Sequence, residues 1–202
     1  MDRLPSLASP LRRRLATMLT ASALCAFAFP AAAQAPNALP KVRLSTSMGD
    51  IVLELYPDKA PKTVENFLQY VQDKHYDGTV FHRVMDNFMI QGGGFGADLQ
   101  QKTTRSPIPL EASNGLKNDR GTIAMARTNN PNSATAQFFI NVVNNAALNA
   151  PSPDGYGYAV FGKVTAGMDV VDKIKLVPVG NQGMHQNVPK SPITILKATL
   201  EK

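Results

Sequence analysis

The sequence predicts a mainly β fold: a closed antiparallel barrel with two helices set over its ends. Three observations lead there. Short apolar or alternating runs follow one another in series from residue 42 to residue 200. A helical period appears in two places only, after Pro61 and around Met168. Strands do not alternate with helices, which argues against a doubly wound parallel sheet, and closure is the natural way for such a series to remove its exposed edges.

Val42 to Thr46 alternates like a strand, Met48-Gly49-Asp50 turns, and Ile51 to Leu55 forms the second arm of a hairpin. Pro57 to Lys62 breaks this pattern. From Pro61, which suits a first helical turn, Val64, Phe67, Leu68 and Val71 fall at i, i+3, i+4 and i+7 on one helix face. Asp77-Gly78 ends that segment. Thr79 to Val84 and Phe88 to Gln91 read as strands around Met85-Asp86-Asn87, and a long loop opens at Gly92-Gly93-Gly94 and runs to about Pro109. Thr122 to Ala126 and Gln137 to Val142 are strands joined by a polar stretch, and Tyr158 to Val164 is another. Met168, Val171, Asp172 and Lys175 mark a second short helix, and Ile193 to Leu200 closes the chain as a strand.

At 202 residues, with 44% hydrophobic and 18% charged side chains, the composition is that of one folded domain with an appendage. The formal charge of +6 is uneven. Residues 1–33 carry a net +3, leaving 17 basic and 14 acidic residues in the remainder. Nothing there forms the concentrated basic surface that nucleic-acid binding needs. Arg12-Arg13-Arg14, the apolar run Leu15 to Phe29 and the small residues Ala31-Ala32-Ala33-Gln34-Ala35 have the order of a secretory signal peptide. Cleavage after Ala33 is expected over cleavage after Ala35, which would leave Pro36 first. The run is short of the roughly 20 residues of a membrane span, so no stable membrane insertion is expected after cleavage, a retained anchor being the alternative. Residues 34–40 then form a flexible arm and residues 41–202 the folded domain. Cys25, the only cysteine, leaves with the leader, which removes disulfide and thiol chemistry from the mature chain.

Several chemistries find no support. The three histidines, His75, His82 and His185, have no metal-ligand spacing, and no metal or other cofactor is expected. Gly92-Gly93-Gly94 lacks the Lys-Ser/Thr of a phosphate loop. Ser133, His82 and Asp86 can be put together as a hydrolase triad on paper, but Ser133 lacks nucleophile-elbow glycines.

Two stretches stand out: Tyr76 to Val84 (YDGTVFHRV) with Phe88 to Gly93 (FMIQGG), and Gly121 to Arg127 (GTIAMAR) with Ala134 to Asn141 (ATAQFFIN). Each sets aromatic or Met side chains beside a single strong donor or an amide. By residue type alone the aromatics are core residues and Arg83 is a solvated strand residue.

These stretches, with Val160 to Val164 and Asn187 to Pro192, resemble the signatures of cyclophilins, closest to the short exported bacterial peptidyl-prolyl isomerase A type, over Lys41 to Glu201. The resemblance implies an eight-stranded antiparallel barrel capped by two helices, with a substrate groove on its outside. It implies a catalytic Arg83, with Gln91 as the amide beside it. It further implies that Phe88, Met89, Phe139 and Leu148 hold the substrate proline. Ala126, Arg127 and Gln137 would line the groove, with Arg127 where many relatives have asparagine. Tyr158 stands where many eukaryotic relatives have histidine, and His82 adjoins the site. No cofactor is implied. The expected partners are proline-containing segments of unfolded or partly folded exported proteins, met by a monomer in the periplasm. Ala147 stands where many eukaryotic relatives carry a tryptophan implicated in cyclosporin binding, so weak cyclosporin affinity is expected. A barrel that holds proline segments without catalysis is the competing reading. The presence of Arg83 weighs against it, because a pure binder has no need of that donor.

Overall fold

The structure, a computed structural model, describes residues 38–201; the expected leader, 1–33, and residues 34–37 of the expected arm lie outside the described residues. Ten strands and two α-helices follow in the order β1 (Lys41–Thr46), β2 (Gly49–Leu55), α1 (Pro61–Gln72), β3 (Phe81–Met85), β4 (Met89–Gly92), β5 (Thr122–Met125), β6 (Phe138–Asn141), β7 (Val160–Ala166), α2 (Met168–Lys175), β8 (Val179–Gln182), β9 (His185–Pro189) and β10 (Ile195–Glu201). Every expected element is present, displaced by a residue or two at its ends. Eight strands form one antiparallel sheet in the order β10-β1-β2-β7-β5-β6-β4-β3, and β8 and β9 form a separate hairpin that lies beside β3.

The expected closed barrel is corrected by the structure. The sheet curls until its two edges meet, but they share no continuous ladder. They touch at one isolated bridge, Val80–Thr194, with Phe81 N–H donating to the Ile193 carbonyl at 2.9 Å and Gly78 N–H to that of Ile195 at 2.8 Å. Pro189 and Pro192 carry no N–H with which to extend a ladder along β3, and the β8–β9 hairpin covers that side instead.

Strand periodicity gives this sheet two apolar faces. The inner face, with Leu44, Ile51, Leu53, Phe81, Ile90, Ile123, Phe138, Ile140 and Phe161, joins the buried faces of both helices in the main core. Phe67 of α1 sits at its centre, with ring centroids 5.0 Å from Tyr76, 5.7 Å from Phe138 and 5.2 Å from Phe161. Helix α1 has no capping side chain of its own. The Glu111 carboxylate takes that place from a distant loop, accepting from the N–H groups of Lys62 and Thr63 and from the Thr63 hydroxyl. On the outer face a second, smaller cluster forms around Met89, Ala124, Phe139 and Val160.

Candidate active site

The turn between β3 and β4 sets Arg83 outward, because Met85–Met89, Val84–Ile90 and Arg83–Gln91 pair in regular register from it. Phe81 pairs with Gly92 and Arg83 with Gln91, so two steps along β3 match one step along β4 and His82 is left as an extra residue. Such a bulge re-aims the residues beyond it, and here it returns Phe81 to the inner face. Phe81 and His82 are both buried, and Arg83 emerges on the outer face directly across from Gln91. Gln91 in turn pairs with Phe139 of β6, so the ladder places guanidinium, amide and aromatic ring in one row across three strands.

That row borders a cleft of about 350 Å³ over the outer cluster. Met89 and Phe139 form its floor, Phe88 stands at the turn before β4, and Ala126 and Arg127 follow β5. Leu148, at the end of a short 3₁₀ turn (Ala146–Leu148), and Tyr158, just before β7, form the far wall. The Tyr158 ring meets Phe139 edge-on at 5.7 Å. Nine of the residues singled out from sequence thus line one cleft. Gln137 lies beside it, and its amide oxygen accepts from Gln91 Nε2 at 3.0 Å. Gly94 makes room for this, because a Cβ there would collide with the Gln137 side chain.

The two arginines of the cleft are held in opposite ways. Arg83 donates weakly, to Gln91 Oε1 at 3.5 Å and to the Met85 sulfur at 3.3 Å, and its Cζ lies 5.9 Å from the centre of the Phe88 ring. Among the described residues no carboxylate pairs with it. Arg127 is fully engaged. It donates from Nε and Nη2 to the Gly157 carbonyl (3.1 and 2.9 Å), from Nη1 to the Thr128 carbonyl (2.9 Å) and from Nη2 to Asp154, and its Cζ lies 4.5 Å from the Tyr158 ring centre. This guanidinium lowers the Asp154 carboxyl below its usual range.

His82 does not enter the cleft. It lies under a neighbouring depression with Phe95 (centroids 4.6 Å apart) and His185. Burial, then the charges of His185 and Arg83, lower its pKa to about 4, so the ring is neutral near pH 7. In the unfolded chain the same ring titrates near 6.5. As pH falls below that value the unfolded state takes up a proton that the folded state does not, so the protein loses stability as pH drops from about 6.5 to about 4. The expected loss between pH 7 and 4.5 from this one ring is about 2 kcal/mol. His82→Phe should flatten that slope in denaturant titrations at the two pH values; an unchanged slope would remove His82 as its source.

Sequence reasoning did not find Met85 beside Arg83, the Asp154–Gly157 partners of Arg127, or Phe95 and His185 around His82. Met85 is two residues from Arg83, a spacing that puts both on one strand face and could have signalled it. The others come from remote loops and carry no local signal.

The family model described as cyclophilin type peptidyl-prolyl cis-trans isomerase/CLD matches residues 41–200. A peptidyl-prolyl cis-trans isomerase of Streptomyces antibioticus is 63% identical over 161 residues, 79% of this chain and 97% of the relative. Peptidyl-prolyl cis-trans isomerase A of Dickeya dadantii is 51% identical over 191 residues, 95% of this chain and 98% of the relative. The crystal structure of a cyclophilin type isomerase from Cryptosporidium parvum, determined in the presence of the dipeptide Ala-Pro, matches with a TM-score of 0.67 at 28% identity, covering 80% of this chain and 99% of that one. The chain therefore belongs to the cyclophilin-type peptidyl-prolyl cis-trans isomerase family.

Proposed function

We propose that this isomerase rotates Xaa-Pro bonds by donating from Arg83 to the proline nitrogen while the apolar cleft grips the proline ring. The observation that carries the proposal is a guanidinium with weak partners, aimed beside a greasy cleft whose other arginine is fully engaged. Rotation about a prolyl amide is slow because resonance gives the C–N bond partial double-bond character, with a barrier of about 18–20 kcal/mol. Uncatalysed exchange takes about 10–100 s. Bringing it to milliseconds requires about 10⁴-fold, or roughly 5.4 kcal/mol off the barrier.

No covalent bond breaks, so the reaction requires no nucleophile. When the amide twists, the proline nitrogen becomes pyramidal and regains a lone pair. A donor aimed at that nitrogen stabilises the twisted form and does little for the planar one, which is differential binding of the transition state. Arginine offers a planar, charged fork for this purpose. Gln91, its amide fixed by Gln137, sets the guanidinium's direction. Met89, Phe139 and Leu148 hold the ring and keep water from competing with Arg83. With no group in the cleft that must gain or lose a proton, kcat/KM should be flat across neutral pH. Exchange NMR on an Xaa-Pro peptide, comparing wild type with Arg83→Ala, tests the reading; wild-type exchange rates from the variant would overturn it.

The clients are proline-containing segments of exported proteins, and the location is the periplasm. Two observations support this: the signal-like order of residues 1–33 and the Dickeya relative, whose similarity extends over 191 residues and so includes sequence before Lys41. Ala147 is exposed on the rim next to Leu148 and offers no large surface there. Cyclosporin should therefore bind weakly while isomerase activity is retained; nanomolar inhibition in a peptide assay would contradict this.

A further inference from the structure

The segment 149–158 forms a closed loop over one end of the cleft. Its neck is fastened by Tyr158 N–H donating to the Leu148 carbonyl at 3.0 Å and by Gly157, where a Cβ would collide with the Ala150 backbone. Leu148 and Tyr158, the two sides of that neck, are the far wall of the cleft. Arg127 reaches the loop from the end of β5. Its side chain is only 1% exposed, and its fork meets oxygens of Thr128, Asp154 and Gly157 at once while its flat face covers Tyr158. Asp154 is fixed from the other side by accepting from Tyr156 N–H at 3.2 Å.

We infer that Arg127 is a positioning residue: with Asp154 and the Gly157 carbonyl it holds the 149–158 loop so that Tyr158 and Leu148 stand as the wall of the proline pocket. The inference rests on the cleft being the proline site. Every polar atom of this guanidinium already has a partner inside the protein, so its contribution to substrate comes through the wall it holds. Lysine cannot replace it, because a single ammonium cannot span the Thr128, Asp154 and Gly157 oxygens or lie flat on Tyr158.

A wall that is upright only part of the time reduces apparent affinity by the fraction of time it is in place. With the wall formed about 10–30% of the time, KM rises about three- to tenfold while kcat changes by less than about twofold. That split is expected for Asp154→Ala and Gly157→Ala, which leave the guanidinium in the protein. Arg127→Ala is expected to show at least as large an effect, with no rescue by Arg127→Lys. Limited chymotrypsin digestion of the same full-length proteins, mapped by mass spectrometry, should show new cleavage at Tyr156 and Tyr158. Wild-type KM in Asp154→Ala and Arg127→Ala overturns the inference, with or without altered cleavage. A raised KM without new cleavage also overturns it and places the guanidinium on the substrate. Failure of the isomerase reading looks different: the wild-type protein itself would then show no turnover.

Discussion

Replacing Arg83 by alanine is expected to lower kcat/KM on an Xaa-Pro peptide by about 10²–10³-fold, the range seen when a single preorganised transition-state donor is removed from an enzyme. The loss should fall on kcat. The donor acts on the twisted amide, whereas the apolar floor that binds the planar substrate is untouched. Stability should hardly change, because Arg83 has no ion pair among the described residues and its hydrogen bonds are long or to sulfur. A circular dichroism melt and peptide kinetics on the same preparation check both halves. Arg83→Lys should recover little, since an ammonium lacks the planar fork. Loss of activity accompanied by a collapsed melt would assign Arg83 to the fold instead.

The second large effect separates two adjacent phenylalanines. Phe138 points inward, fully buried, with edge-on contacts to Phe67, Tyr76 and Phe81. Phe139 points outward into the cleft floor against Tyr158. Phe138→Ala should cost about 3–5 kcal/mol of stability, the usual range for truncating a buried aromatic. The molecules that remain folded should keep near-normal kinetics. Phe139→Ala should lower kcat/KM about 10- to 100-fold, corresponding to about 1.5–3 kcal/mol of lost apolar contact with the proline ring. Its stability loss should be the smaller of the two, because the space it vacates opens onto the cleft. Urea melts and kinetics at matched folded fraction check the pair. Equal effects from both substitutions would mean that the two-faced reading of β6 is wrong.

Much of the fold could be read in advance because its elements announce themselves locally. Val64, Phe67 and Val71 mark the buried face of α1, and Pro61 marks its start. What escaped was set by distant partners. The β8–β9 hairpin has exposed polar residues and a turn at Gly183, and its apolar signal is confined to Val179 and Val188. The open seam depends on where Thr194 meets Val80, which no local pattern reports. In the cleft, resemblance brought together residues whose types alone spell an ordinary core. It could not show that the Arg127 side chain is tied to a loop 27 residues further along, because hydrogen bonds to Gly157 and Asp154 depend on the fold of that loop.

The extra residue in β3 also bears on any attempt to move this site to another scaffold. From the turn, Met85–Met89, Val84–Ile90 and Arg83–Gln91 pair in regular register, so any hairpin that keeps this turn keeps the arginine outward beside the glutamine. Without the extra residue, His82 would pair with Gly92 and point inward, and Phe81 would swing to the outer face, away from Phe138. A designer who copied the arginine and glutamine but straightened the strand would thus preserve the visible site and take an aromatic ring out of the core beneath it. The transferable unit is the hairpin with its miscount, because the miscount serves the support and the turn serves the chemistry.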